Sequence, residues 1–296
     1  TVSPELFGKL PGKLQSLEEM FHPAGPLNIG YVFKRNGLEW SKRLEVQPLG
    51  MAARYRGFPY PLKNVRGTVE HVVTSASRDQ IRIDLTGEGA GAQVNLTGSI
   101  RGAAPDVDID LKLTGNGVTL DDELIDAMPD DNPQFLRRLR AAAHGDFVAN
   151  IRHNRRTRRD FGPDAYDNEF HIQIRRGSMH YEVFPYRLEN LSGTLVIRTV
   201  PEHPVRLPEA KGQPKQPAMP EGTTLEFHDF RATHGGGRLR GSGRKDPVNG
   251  GAILTLNVDA EDMALDTELR KALAAIRLDN AWTTFDPSGR MNFAVR

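Results

Sequence analysis

The chain contains no cysteine, and this absence excludes disulfide bonds, thiol catalysis and cysteine-ligated zinc. It also contains no run of the roughly 18 apolar residues that a membrane-spanning helix needs. An excess of one charge is missing too, because 39 lysines and arginines nearly balance 38 aspartates and glutamates. With a net charge of +1, the chain has no overall field that attracts nucleic acid, and no nucleic-acid partner is expected.

Apolar residues other than glycine make up 38% of the 296 residues, and adding glycine brings the share to roughly the 45–50% that is usual when glycine is counted. The chain has 29 glycines and 20 prolines, a composition that favours many turns and short strands. The first residue is a threonine, which leads us to expect a piece of a longer chain.

Catalytic and metal-binding patterns are also missing. The nine histidines form no HExxH motif, and no serine lies in a GxSxG motif. His234-Gly-Gly-Gly-Arg238 lacks the Lys-Ser/Thr ending of a phosphate-binding loop. The acidic trio Asp121, Asp122 and Glu123 is better suited to the start of a helix than to a metal site or an acid/base pair. The sequence therefore predicts a protein that is not an enzyme and uses no metal or cofactor.

A segment of twelve residues occurs twice. FPYPLKNVRGTV (58–69) returns as FPYRLENLSGTL (184–195), with seven identical positions. Upstream, GPLNIGYVFKRN (25–36) resembles both GDFVANIRHNRR (145–156) and GRMNFAVR (289–296). A Glu-Leu-x-x-x-Leu/Met pattern, typical of one apolar helix face, precedes each of these three segments. The FPY segments predict a structural bend, Asn-x-x-Gly, before the next strand.

These matches predict a tandem repeat. Residues 1–24 are interpreted as a helix that ends a preceding repeat, 25–144 as a first unit, 145–288 as a second unit, and 289–296 as the first strand of a third. Each unit is predicted to hold one short helix and about eight short strands. The proline-rich insertion 201–222 interrupts the second unit, and its composition predicts an exposed, poorly ordered loop.

The strand signal is a polar/apolar alternation, clearest in DVDIDLKL (106–113). A period of two gives each strand one wet and one apolar face, and the Gly-rich segments 87–92, 115–117 and 234–238 are typical of hairpin turns. The predicted fold is mainly β: an elongated, curled antiparallel sheet that forms a β-groove, built from tandem repeats with one short α-helix per repeat.

One short helix per unit is too little to cover the apolar face, so we expect an apolar trough that a ligand or partner covers. The residues expected to line the trough are Ile81, Ile83, Leu85, Val94, Leu96, Val107, Ile109, Leu111 and Leu113 in the first unit and Ile172, Ile174, Leu254, Leu256 and Val258 in the second.

The stretch from Arg152 to Arg159 is the most basic part of the chain. It has two interpretations: a contact with anionic lipid head groups, through Arg155, Arg156, Arg158 and Arg159, or a solvated loop that needs no partner.

The tandem units, the FPYxLxNxxGT segments and the phrases LSGTL (191–195) and GRLRGSG (237–243) resemble the AsmA-like family of bacterial envelope proteins, which includes TamB-like and YhdP-like proteins. The resemblance covers nearly the whole chain except the proline-rich insertion. It implies a periplasmic β-groove with no catalytic residues, anchored at the inner membrane through regions outside this chain. Such a groove would bind phospholipid acyl chains, conduct phospholipids toward the outer membrane and serve outer-membrane assembly. Burial of a methylene contributes about 0.8 kcal/mol, so a sixteen-carbon chain that enters the trough gains on the order of 12 kcal/mol. Two other interpretations remain open: a structural scaffold of the envelope, and a polymer-binding, adhesin-like module.

Overall fold

A computed structural model describes residues 21–55, 58–76, 79–102, 107–127, 132–161, 166–200, 222–248 and 251–296. These residues form a sheet of thirteen strands whose spatial order follows the chain. Every strand pair with a described register is antiparallel. The prediction of a mainly-β protein built on an antiparallel sheet of consecutive strands is therefore confirmed.

The elements have the following bounds. The strands are β1 (Leu27–Asn36), β2 (Glu39–Tyr55), β3 (Phe58–Thr74), β4 (Gln80–Gly89), β5 (Ala92–Arg101), β6 (Asp108–Thr119), β7 (Ala142–His153), β8 (Asp167–His180), β9 (Arg187–Val200), β10 (Gly222–His234), β11 (Gly237–Val248), β12 (Gly251–Ala264) and β13 (Arg290–Val295). The helices, numbered here among the described residues, are α1 (Asp122–Ala127), α2 (Asn132–Leu139), α3 (Arg155–Phe161), α4 (Thr267–Ala275) and α5 (Asn280–Phe285).

The strands are longer and fewer than the sequence predicted. Six strands, not eight, precede the pair α1–α2, and six more precede the pair α4–α5. One cause is the Gly-Asn-Gly segment 115–117, which lies inside β6 rather than in a turn. Gly117 has a φ of +71°, and its amide bonds the side chain of Asp146 at 2.8 Å. Glycine here kinks a continuous strand. The other two predicted hairpin turns, at Ala90–Gly91 and Gly235–Gly236, are confirmed.

The FPY segments form bulges within or beside strands. Phe58 begins β3, and Asn64 has a φ of +51° where the pairing with β4 shifts register. The matching Asn190 in β9 has the same φ. Asparagine tolerates this left-handed conformation better than most residues. The bend predicted before the next strand is thus a bulge inside a single strand, because the ladder continues on both sides of it.

The chain divides into two compact units. The first comprises Thr1–Asn116, Phe147–Phe170 and Arg198–Thr223, and the second comprises Gly117–Asp146, His171–Ile197 and Thr224–Arg296. The helix predicted within 1–24 lies almost entirely outside the described residues, and so does the predicted loop 201–222, except for its last residue.

The second unit has a compact core beneath helix α4. Met263 on β12 is 1% exposed and packs with Leu269 and Ala272 of the helix and with Trp282 of α5. Asp266 caps α4 by accepting the amide of Leu269 at 2.9 Å, as its position before the Glu-Leu pattern predicts.

Candidate functional site

One face of β1–β6 in the first unit is apolar across all six strands. On β4, Ile83 lies opposite Val69 of β3 and Gly98 of β5, and Gly98 lies opposite Leu111 of β6. A parallel row runs through Leu85, Leu96 and Leu113, and another through Ile81, Ile100 and Ile109. Because paired residues of an antiparallel ladder point to the same side, these rows form one continuous surface, called here the apolar face.

The structure places eight of the nine first-unit trough residues on this face. The ladders β4–β5 and β5–β6 include Ile81, Ile83, Leu85, Val94, Leu96, Ile109, Leu111 and Leu113. Val107 lies one residue before β6 and has no described ladder partner. The apolar face also continues onto β1–β3, which the sequence prediction missed. Val46 of β2 lies between Ile29 of β1 and Val69 of β3. In the next row, Leu44 lies between Tyr31 and His71. The same alternation, present in these strands too, would have found them.

The side chains of this face stay partly exposed to solvent. Of the eight, only Val94 is buried, at 9% exposure, and the others are half-buried. On the edge strand β1, Ile29 is 42% and Tyr31 60% exposed. A sealed hydrophobic core would bury its aliphatic side chains much more completely. The apolar face is thus a partly open surface in the first unit.

A polar pair interrupts the face on β3. His71 lies on β3 between Leu44 and Ile81, and its Nε2 is in hydrogen-bonding contact with the carboxylate of Asp79. The contact gives both side chains a hydrogen-bonding partner, which lowers the cost of placing them on an apolar face.

The second unit carries a comparable face on β10–β12. Leu254, Leu256 and Val258 of β12 lie opposite Lys245, Gly243 and Gly241 of β11. On β10, Phe227 lies opposite Gly243 and Phe230 opposite Gly241, with the two phenyl rings edge to face at 5.6 Å. A Cβ on Gly243 would lie 2.6 Å from the backbone carbonyl oxygen of Thr255 and 2.6 Å from the Leu256 side chain, so glycine is needed for close packing here.

The predicted second-unit residues differ in exposure. Leu254 is 56% and Leu256 40% exposed, whereas Val258 is half-buried. Ile172 and Ile174 lie two apart on β8, hence on the same side of that strand, and both are half-buried. Sequence reasoning missed Phe227 and Phe230, because a bulge with Asp229 at a φ of +52° separates them and breaks the period of two.

The opposite face of β3–β5 is polar and holds an open depression of about 500 Å³. Apart from Ile83 and Gly98, the residues that line it carry hydroxyl, amide and charged groups: Thr68, Glu70, Gln80, Arg82, Asp84, Thr97, Ser99 and Arg101. The carboxylate of Glu70 forms ion pairs with the guanidinium groups of Arg43, at 2.6 Å, and Arg82, at 3.5 Å. The sheet therefore separates an apolar surface from a hydrated one.

The basic stretch forms helix α3 rather than a loop. Asn154 starts the helix, since its Oδ1 accepts the amides of Arg156 at 2.9 Å and Thr157 at 3.1 Å, as expected of an N-cap. The guanidinium of Arg158 donates to the carbonyl oxygen of Val107 and to Asp108 at 3.0 Å. Arg158 thus tethers α3 to the start of β6. Arg155, Arg156 and Arg159 lie on the helix with exposed side chains.

The acidic residues ahead of the helices act as caps. Asp121 accepts the amide of Leu124 at 2.7 Å, the same role that Asp266 has for α4. Burial opposes ionisation of Asp266, but the amide of Leu269 and the imidazole of His234 outweigh it and lower its pKa. Nε2 of His234 lies 3.2 Å from Asp266 and 3.9 Å from Glu268.

Within the described ranges, no cluster of three or more histidines and carboxylates could hold a metal ion. No helix in that part of the chain is both long enough and apolar enough to cross a membrane.

Searches with protein-family models, among curated proteins and among solved structures find no match to this chain.

Proposed function

We propose that the chain is a non-enzymatic lipid-binding and lipid-transport module of the bacterial envelope. In this proposal it is a segment of a periplasm-spanning hydrophobic groove that moves phospholipids between the inner and outer membranes. Acyl chains lie on the apolar face, and head groups stay in solvent.

The observation that carries the proposal is the continuous, partly open apolar face of β1–β6. Its rows bring aliphatic side chains from all six strands onto one face, among them Val69, Ile83 and Leu111, and most stay half-buried. An exposed apolar surface of several strands is unfavourable in water unless a ligand or partner covers it. Aliphatic contacts have no direction, so an acyl chain sliding along the rows crosses only small barriers.

Photocrosslinking of the purified chain tests this proposal. A photoreactive amino acid at position 111 lies on the apolar face, whereas one at 112 lies on the polar face of the same strand. In the presence of phosphatidylethanolamine and phosphatidylglycerol vesicles, we expect crosslinked phospholipid at 111 and none at 112. Equal crosslinking at both positions, or none at either, would reject acyl-chain binding on this face.

Substitutions provide a second readout. Leu111→Asp should remove co-purifying phospholipid, measured by native mass spectrometry, whereas Lys112→Asp should retain it. Leu254→Asp repeats the test at an exposed site of the second unit, where a carboxylate does not disturb a core. If all three variants carry as much lipid as the wild type, the proposal is wrong.

A polymer-binding function is the second candidate, favoured by the polar depression on β3–β5. Hydroxyl groups of Thr97 and Ser99 beside Arg82 and Asp84 suit a hydrated polymer such as a polysaccharide. A photoreactive residue at 97 would then crosslink to the polymer, and position 111 would stay unlabelled.

A further inference from the structure

The hairpin of β1 and β2 exposes large apolar side chains near its tip. Leu38 lies in the turn between the strands and is 92% exposed. Phe33 on β1 is 51% exposed. Hairpin tips usually carry small or polar residues, as at Ala90–Gly91 and Gly235–Gly236 in this chain. The apolar tip of the β1–β2 hairpin therefore needs an explanation outside folding.

Cations surround this tip. The segment from Lys34 to Arg43 contains four basic residues and a single carboxylate, Glu39. Arg43 is paired with Glu70 at 2.6 Å. Within the described part of the chain, the other three (Lys34, Arg35 and Lys42) make no ion pair with a carboxylate.

Two of these cations are held in place beside the apolar groups. The Nε of Arg35 donates to the carbonyl oxygen of Gly37 at 3.1 Å. The Nζ of Lys42 lies 5.3 Å from the ring centroid of Trp40. In the ladder, Arg35 is paired with Trp40, and Phe33 with Lys42, so all four lie on one side of the hairpin. Tryptophan with neighbouring lysine and arginine is typical of a membrane–water interface.

We propose that the tip of the β1–β2 hairpin binds the surface of an anionic phospholipid bilayer. Leu38 enters the acyl boundary, Trp40 lies at head-group depth, and Lys34, Arg35 and Lys42 contact the lipid phosphates. The inference goes beyond acyl-chain binding on the apolar face, because it concerns a bilayer surface. A second copy of the tip is a poor occupant, since it would bring like charges together.

Vesicle flotation tests the proposal. The purified chain is mixed with vesicles of phosphatidylcholine alone or with one quarter phosphatidylglycerol. Each lysine or arginine near an anionic surface contributes roughly a fivefold factor to partitioning, so we expect at least about tenfold tighter binding to the anionic vesicles. Raising the salt concentration should weaken this binding, because it screens the surface charge.

The fluorescence of Trp40 measures how deeply its side chain enters the bilayer. Its emission should shift to the blue on anionic vesicles and be quenched by lipids brominated near the head group. Trp40→Phe should abolish the change and leave only Trp282, which is 7% exposed. Flotation of the chain without any change in Trp40 emission would overturn the proposed orientation.

Leu38→Asp should weaken partitioning by about tenfold or more. Its matched control is Leu278→Asp, at another exposed leucine (60%) in the second unit, which should bind like the wild type. Equal binding by the two variants, or no binding of the wild type to anionic vesicles, would reject the hairpin site. Leu111→Asp should still float, and Leu38→Asp should still carry bound phospholipid, so a failure of either proposal is recognised separately.

Discussion

The aromatic ring of Tyr186 packs on the imidazole of His234, with centroids 3.9 Å apart. At the matching position of the first FPY segment, the hydroxyl of Tyr60 instead accepts a hydrogen bond from the amide of Ala90. Both tyrosines are buried against the hairpin turn that follows the next strand. The hydroxyl of Tyr186, however, is buried with no hydrogen-bond partner among the described residues. The same motif thus supports the fold through a polar contact in one unit and a ring contact in the other.

This difference predicts opposite outcomes for one substitution. Tyr60→Phe should lower the free energy of unfolding by about 1–2 kcal/mol, because it leaves the amide of Ala90 without its acceptor. Tyr186→Phe removes a hydroxyl that is buried without a partner. The free energy of unfolding should therefore stay unchanged or rise, by about 0.5 kcal/mol or more. Urea denaturation of both variants measures the two changes. A larger loss for Tyr186→Phe than for Tyr60→Phe would contradict the structure.

The cap of helix α4 should make stability depend on pH. The pKa of Asp266 is lowered from its ordinary value of 3.8. The charge of Asp266 therefore contributes fully to the stability of the fold above pH 3.8, and this contribution is lost as the pH falls through the folded-state pKa. Asp266→Asn keeps a capping oxygen but loses the charge that faces His234. We expect a lower melting temperature for this variant at pH 7, and the difference should shrink below pH 3.8.

Asp266→Ala is the companion variant, since it also removes the capping oxygen. Asp266→Ala should lower the free energy of unfolding by about 1 kcal/mol more than Asp266→Asn does, at every pH. A gap between the wild type and Asp266→Asn that stays constant from pH 7 to pH 3 would contradict the role assigned to the charge.

Gly98 on the apolar face should resist replacement. Its φ is +145°, and a Cβ there would lie 2.1 Å from the carbonyl oxygen of Asp110. Gly98→Ala should therefore lower the free energy of unfolding by about 3 kcal/mol or more. Gly30→Ala on β1 is the control, because the nearest atom to its Cβ lies 3.9 Å away. Chemical denaturation should show a change of at most about 0.5 kcal/mol for the control.

The tether of helix α3 should depend on one arginine. Arg158→Ala removes the charged hydrogen bonds to Val107 and Asp108 and should cost about 2 kcal/mol. Arg155→Ala, on the exposed side of the same helix, should stay within about 0.5 kcal/mol. Thermal unfolding and hydrogen exchange of the α3 amides measure both effects. Equal losses of stability for the two variants would show that Arg158 does not tether α3 to β6.

Much of the candidate site followed from the sequence, because alternation is a local property of an extended chain. Ile81, Ile83 and Leu85 had to share one side of any strand that contained them. The duplicated FPY segments likewise predicted a bend, and both asparagines adopt the left-handed conformation that produces it. The basic stretch was harder to interpret: its composition allowed a loop, whereas the cap by Asn154 favours a helix.

The sequence by itself determined which side chains share a face within each strand and where the segments repeat. Only the tertiary structure decided which strands are neighbours and where the period of two breaks. Phe227 and Phe230 are three residues apart, yet the bulge at Asp229 returns both to one face. Gly115 and Gly117 look like a turn, yet they lie in β6. The physical reason is that the contacts with the adjacent strand decide whether a glycine forms a turn or continues a strand, and where a bulge forms. That adjacent strand can be distant in sequence.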